Sequence, residues 1–211
     1  FLPFNMGKGE GIETGSGNPH NPDGVDTEYL WLDVLTMDSI LQLVESFIFY
    51  EVDKSNSKKK TLIFPRYHQR RAVSRLLEDM KTNHTDNNYL IQHSAGSGKT
   101  NTIAWLAHSL VPLHDDQNRN IVDTVLIVTD RIVVDRKLQD AVRQINHKNG
   151  VVKVMGDRET SSDLADAIAG NTKIIATTIH KFAQINQSDW MSVGNTANKR
   201  FAILIDEAHS S

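Results

Sequence analysis

From Tyr67 onward the chain alternates short apolar runs, broken only by Lys153, with amphipathic stretches, and no other feature narrows its possible folds as far. The runs are Tyr89-Leu90-Ile91, Val125 to Val128, Val151 to Met155, Ile174 to Ala176 and Phe201 to Ile205. Apolar residues at helical spacing separate them near 68–81, 99–110, 133–146, 162–169 and 179–185. A strand that is apolar at every position is buried on both faces, and alternation of this kind closes as a parallel sheet covered by helices on both sides. The expected class is therefore α/β. The first part of the chain reads differently. Six of the 12 glycines and three of the 5 prolines fall between Pro3 and Gly24, so residues 1–24 are expected to be an irregular connector. Asp38-Ser39 then precedes apolar residues at helical spacing, which predicts a helix over about 38–50. The polar stretch 53–60 predicts an exposed turn, and Lys58-Lys59-Lys60 reads as solvated charge.

Composition trims the function classes. A chain of 211 residues suits one domain, or one domain and a satellite segment. No apolar run approaches the roughly 18 residues of a membrane helix. There is no cysteine, so disulfides, thiolate zinc sites and thiol catalysis drop out. With no secretory leader in view, a cytoplasmic protein is the expectation. The balance of 23 bases against 26 acids lacks the basic excess of a free-standing nucleic-acid binder. Charge is uneven, however: residues 1–50 carry one base and eight acids, residues 51–90 nine and five, and the remainder thirteen of each. Any contact with nucleic acid must use local charge. The chain starts at Phe1 rather than at an initiator Met and stops just past a charged motif, so it is expected to be a piece of something longer.

The first chemical signal is His93-Ser94-Ala95-Gly96-Ser97-Gly98-Lys99-Thr100, set between an expected strand ending near Gln92 and an apolar helix. Glycines let a backbone turn around an anion with successive N–H groups pointing inward, and the helix N-terminus adds partial positive charge. Ala95, Gly96, Ser97 and Gly98 would cradle phosphates, Lys99 would reach the outermost ones, and the Thr100 hydroxyl would ligate Mg²⁺. The strict pattern asks for glycine where this chain has His93. The bland alternative is a glycine-rich turn with a solvated lysine.

The second signal is Asp206-Glu207-Ala208-His209, delivered at the carboxyl end of the apolar run Phe201 to Ile205. Ligands of open α/β sheets bind at that edge. We assign Asp206 to the metal and Glu207 to activation of the attacking water. Two acids after a strand can also be a helix N-terminal pair favoured by the dipole. The glycine loop and the acidic pair on two different strands together point to a nucleotide-hydrolysing site.

These two motifs resemble motifs I and II of superfamily 2 helicases and translocases. The surrounding wording is more closely similar to the R subunit of type I restriction enzymes, through Gly17-Asn18-Pro19, Tyr29-Leu30-Trp31, Phe64-Pro65-Arg66-Tyr67-His68-Gln69, Ile91 to Thr100, Val128-Thr129-Asp130-Arg131, Thr177 to Phe182 and Asp206 to Ser210. His93 is similar to what that family carries at this place. Val134, Lys137 and His180 depart from it, which bears on the DNA path alone. The resemblance implies a RecA-like P-loop NTPase fold, with residues 1–60 a connector and helix following an absent nuclease domain and 61–211 the first RecA-like motor domain. It further implies ATP and Mg²⁺ as cofactors, duplex DNA as the track, and methyltransferase and specificity subunits as partners. Gln69, with Arg66 beside it, resembles the glutamine that reads adenine; an amide can give and accept one hydrogen bond each on a base edge. Its alternative is a solvated residue on a first helical turn. His209 is carried over to the nucleotide. Thr129 and Arg131, and Thr177, Thr178 and Lys181, resemble the backbone-contacting motifs of the DNA path, with helix caps or solvated charges as the alternative.

Pro22-Asp23 and Asp79-Met80-Lys81 have the residue types of a nuclease metal site. The first sits in the connector and the second closes a helix, so the cutting centre is expected outside this chain. Two other readings stay open: another helicase-like translocase of the Asp-Glu-Ala-His type, and a nucleotide-dependent interaction module that never moves along nucleic acid.

Overall fold

A computed structural model describes residues 17–18, 20–53, 56, 58–83, 87–130, 132–145, 151–156, 158–196 and 198–207. The chain divides into two units, 1–74 and 75–211.

In the first unit the described part of the connector is irregular, as its glycines and prolines require. Asn21 donates from its backbone to Asp26 (3.0 Å) and from its amide to Glu28 (2.7 Å). Two wide π-helical turns, Leu30–Val34 and Leu43–Phe47, flank the short helix α1, Met37–Gln42. The helix expected over 38–50 therefore stops at Phe47. Beyond it, Phe49–Val52 (β1) pairs antiparallel with Lys60–Ile63 (β2), Phe49 opposite Ile63 and Val52 opposite Lys60. Phe47 is buried as the last residue of the second π-helical turn, and from Ile48 the backbone is extended, which leads into the buried Phe49 of β1. Of the connecting turn, Asn56, Lys58 and Lys59 are exposed as expected, and the Asp53 N–H donates to the Lys59 carbonyl (3.0 Å). Lys60 belongs to β2.

Tyr67–Asn83 forms α2. Its start is anchored by Arg70, only 8% exposed, which donates to the Ser39 hydroxyl (2.7 Å) while Ser39 donates to the Val34 carbonyl (2.6 Å). Tyr67 meets Tyr29 edge to face at 5.4 Å between ring centres.

The second unit is built on a four-stranded parallel sheet. Lys99–Leu110 (α3) precedes Thr124–Thr129 (β3), which is followed by Ile132–Ile145 (α4), Val152–Val154 (β4), Ser161–Ala169 (α5), Ile174–Thr178 (β5), Ile179–Ala183 (α6), Gln187–Ser192 (α7) and Phe201–Ile205 (β6). The strand order is β4-β5-β3-β6. The continuous apolar strands are explained by cover on both faces. On one face Leu126, Ile175 and Met155 form a cluster with Leu164, Ala165, Ala167 and Ile168 of α5 and with Ile185. Val125, Ile127, Ile174 and Ala176 alternate to the other face and are fully buried. There α3 and α4 pack together, His108 Nε2 lying 2.6 Å from the Val142 carbonyl. Burial holds that imidazole below its ordinary pKa, so the neutral ring donates to the carbonyl.

One expected strand is absent. Tyr89-Leu90-Ile91 is not paired in the sheet; the Tyr89 hydroxyl donates to Asp79 (2.6 Å) and Leu90 is 88% exposed. The sheet ends at β6, where Ile203 and Ile205 are also exposed. An apolar run announces a strand only if an edge lies beside it to supply hydrogen bonds. Helix α7 was not anticipated, because its six residues are mostly polar.

Two lysines clamp the loops of this unit. Lys181 donates to the carbonyls of Met155 (3.3 Å), Gly156 and Glu159 (2.7 Å). Lys199 donates to those of Ile168 (3.0 Å), Ala169 (2.9 Å) and Gly170, the last turn of α5, where a cation also opposes the helix dipole.

Leu164 is fully buried, so Leu164→Ala is expected to destabilise the protein by about 2–5 kcal/mol in chemical denaturation; a loss well below that would mean the site collapses around the smaller side chain. A second expectation concerns acid. Burial raises the pKa of Asp123, but the Arg200 backbone N–H and guanidinium, with Lys173 nearby, outweigh it and hold the carboxyl below its ordinary value. The stabilisation is then complete above the unfolded value of about 4 and lost as pH falls through the depressed folded one. Asp123→Asn should flatten that part of the stability–pH profile, and an unchanged acid limb would remove the pair from the account.

Candidate functional site

The two chemical motifs meet at the carboxyl edge of the sheet. The backbone of the loop turns at Gly96, with φ +73°, and at Gly98, with φ +94°, both in the left-handed region that glycine tolerates. Gly98 is the N-cap of α3 and brings no side chain to cap it. The first-turn N–H groups of Lys99 and Thr100 are thus left without a side-chain acceptor, the arrangement in which a helix N-terminus receives an anion. Ser97 is 8% exposed; its N–H donates to the Ser94 carbonyl (3.2 Å), and its hydroxyl shares a 3.2 Å hydrogen bond with His93 Nδ1. The residue that broke the strict glycine pattern therefore braces the loop from inside. Sequence reasoning missed this role, and the departure from glycine was itself the signal.

Strand β6 delivers the acids. The Asp206 N–H donates to the Val128 carbonyl (3.0 Å), which extends the ladder with β3 by one residue, and Asp206 is 8% exposed. Its Oδ1 accepts the Glu207 N–H at 3.0 Å. Glu207 then turns out of the strand with φ +57°, an uncommon conformation for a residue with a side chain. Lys99 Nζ donates to Glu207 Oε1 at 2.7 Å, both side chains about one-third exposed. That hydrogen bond raises the lysine pKa above its ordinary value against a smaller effect of desolvation, so Lys99 is a cation throughout the physiological range.

The residues thus assembled are Ala95 to Thr100 with Asp206 and Glu207. They fit a Mg²⁺ nucleotide in kind: the N–H groups at the start of α3 and an ammonium for phosphate, a hydroxyl and a buried carboxylate for a hard cation that keeps most of its ligands as water and phosphate. Among the described residues no group of three or more His, Asp or Glu side chains could hold a metal by itself. His209 and Arg131 lie outside the described residues.

Other expected site residues are differently placed. Gln69 is 3% exposed rather than solvated; its Oε1 accepts the Arg66 N–H at 2.8 Å. With Arg66 at the N-cap and Gln69 three residues on, this is one half of a capping box, closing the start of α2. Thr129, Thr177 and Thr178 are buried at 1%, 0% and 5%, the Thr178 hydroxyl accepting the Lys181 N–H as a cap of α6. The Lys181 ammonium faces carbonyls. Asp79 accepts from Tyr89 and Asn83, and Asp23 lies in the other unit, its N–H donating to Asn21.

The SWI2/SNF2 ATPase family matches residues 68–211. The chain is similar to a putative type I restriction enzyme endonuclease subunit of Methanocaldococcus jannaschii, 28% identical over 197 residues, which is 86% of the chain and 19% of that relative. It is similar also to type I restriction enzyme endonuclease subunits of Staphylococcus saprophyticus, 24% identical over 219 residues, and of Staphylococcus aureus, 24% identical over 217, each match covering 90% of the chain and 22% of the relative. The chain spans about a fifth of the length of these curated relatives.

The loop geometry yields its own test. Because Gly98 holds φ +94°, Gly98→Ala is expected to destabilise the protein by about 1–2 kcal/mol in denaturant unfolding, with no contact removed; an unchanged midpoint would show that the loop turns elsewhere.

Proposed function

The chain belongs to the SWI2/SNF2 ATPase family, and on that premise we propose that it is the ATP-binding motor domain of a type I restriction enzyme R subunit, working in the cytoplasm with methyltransferase and specificity subunits on duplex DNA. The observation that carries this reading is the meeting of the glycine loop with the Asp206–Glu207 pair, Lys99 and Glu207 being 2.7 Å apart across 108 residues of sequence. A RecA-like α/β fold and a motor role follow from the family. ATP hydrolysis, DNA translocation and cleavage are proposed on the likeness to type I restriction enzyme endonuclease subunits.

In this reading Ala95 to Gly98 and the start of α3 bind the phosphates, Lys99 balances their charge, and Thr100 and Asp206 hold Mg²⁺, which when bound neutralises charge on the transferring phosphoryl group. Glu207 accepts a proton from the attacking water. His209 completes the nucleotide site. Arg66 and Gln69 are carried as adenine readers, with one constraint: a base using Gln69 Oε1 competes with the helix cap at Arg66. Duplex DNA is the track, with Thr129, Arg131, Thr177, Thr178 and Lys181 as its contacts, under one constraint: Thr129, Thr177 and Thr178 are buried and the Lys181 ammonium is held by carbonyls, so each must turn outward to meet a phosphate. Residues 61–211 are read as the first of two RecA-like domains, the nuclease and the arginine finger coming from other parts of the protein. A finger contributes about 10³ to 10⁵ in rate, so residues 1–211 alone are expected to turn ATP over very slowly.

Lys99→Ala should abolish ATP binding, and Glu207→Gln should keep binding while stopping DNA-stimulated hydrolysis in the full complex. Loss of binding in both would overturn the assigned roles. ATP turnover indifferent to duplex DNA would favour a nucleotide-dependent interaction module.

A further inference from the structure

The contact between Lys99 and Glu207 joins the two groups that the chemistry needs apart. Lys99 must face phosphate, and Glu207 must face water. Instead the ammonium donates to the carboxylate at 2.7 Å, and the carboxylate lies where the strongest cation of the loop is neutralised. Glu207 reaches that position through a left-handed backbone, φ +57°, which a side chain disfavours. Only two described residues other than glycine have positive φ, and the other, Asn118, is of a type that tolerates it. A strained backbone at the end of a strand persists when surrounding contacts hold it, and here the ion pair is such a contact. Both side chains keep about a third of their surface in solvent, so a phosphate oxygen has access to the pair without any element unfolding.

We propose that Glu207 is an internal competitor of the nucleotide: in the empty site its carboxylate occupies Lys99 in place of a phosphate, and the arriving phosphate both displaces it and frees it for water. The inference rests on the nucleotide site described above and deepens it. The same carboxylate has two stations, one on Lys99 and one facing the attacking water. An empty motor then holds its base away from water, and loading the site is the event that arms it. The cost is affinity, because every nucleotide must break a charge-assisted hydrogen bond before Lys99 can turn to it.

The test is binding without chemistry, using ADP in excess EDTA so that neither hydrolysis nor metal ligation contributes. Glu207→Gln removes the charge and keeps the shape, and it should bind ADP about tenfold more tightly than the unmodified protein, a discounted value for a partly exposed charged hydrogen bond. Glu207→Gly removes the carboxylate and also suits the positive φ, so it should tighten binding similarly while leaving the fold intact by circular dichroism. Asp166→Asn controls for the net charge of the chain, since it deletes an equal charge from the exposed face of α5, outside the site. It should change affinity little. Equal or weaker ADP binding by both Glu207 variants overturns the competition while leaving the nucleotide site standing. A gain in Asp166→Asn as large as that in Glu207→Gln overturns it too, because net charge would then suffice. Absence of ADP binding in every protein, the unmodified one included, overturns the site and this inference with it.

Discussion

A buried parallel strand must find hydrogen-bond partners on both edges; β5 meets that requirement between β4 and β3, and β3 meets it between β5 and β6. Its pairing with β5 and β6 sets where their ends emerge: Thr129 is level with Thr178, and Val128 with Ile205. The one further ladder bond from Asp206 to Val128 then fixes the position of the acids to within a residue. Everything chemical in the second unit depends on this levelling. Had β6 slipped by one position, Ile205 and Asp206 would exchange faces and the carboxylates would no longer stand at the mouth of the glycine loop.

Much of this could be read from the residues. Helices α3 and α5 begin and end within a residue of their expected bounds, because apolar periodicity and, for α5, a Thr160–Asp163 capping box mark them clearly. Strands β3, β5 and β6 were equally visible as unbroken apolar runs, and β4 as one interrupted only by Lys153. The failures share a cause. Tyr89-Leu90-Ile91 has strand composition but no neighbouring edge, while β1 and β2 have an edge in each other but only four residues apiece. Pairing is a property of two segments, and a single stretch of sequence does not state it.

The candidate site shows the same division. Gly96, Gly98, Lys99, Asp206 and Glu207 were identifiable because their types and order are tied to a chemistry. What they do to one another was not: nothing in the letters says that Lys99 meets Glu207, or that His93 braces Ser97. Gln69 is the clearest case of a residue whose type supports two jobs. An amide oxygen suits a base edge and a backbone N–H alike, and the structure turns it to Arg66.

Lys181 and Lys199 each sit where three carbonyl oxygens converge. An ammonium is compact and its three N–H bonds diverge from one nitrogen, so it can serve three acceptors arranged around a point. A guanidinium carries the same charge in a flat fork and cannot. Both positions are therefore selective for the shape of the cation as well as its sign, much as a coordination site selects an ion by radius. An exchange of lysine for arginine that would pass unnoticed on the surface would here pull apart the loop after β4 or the last turn of α5.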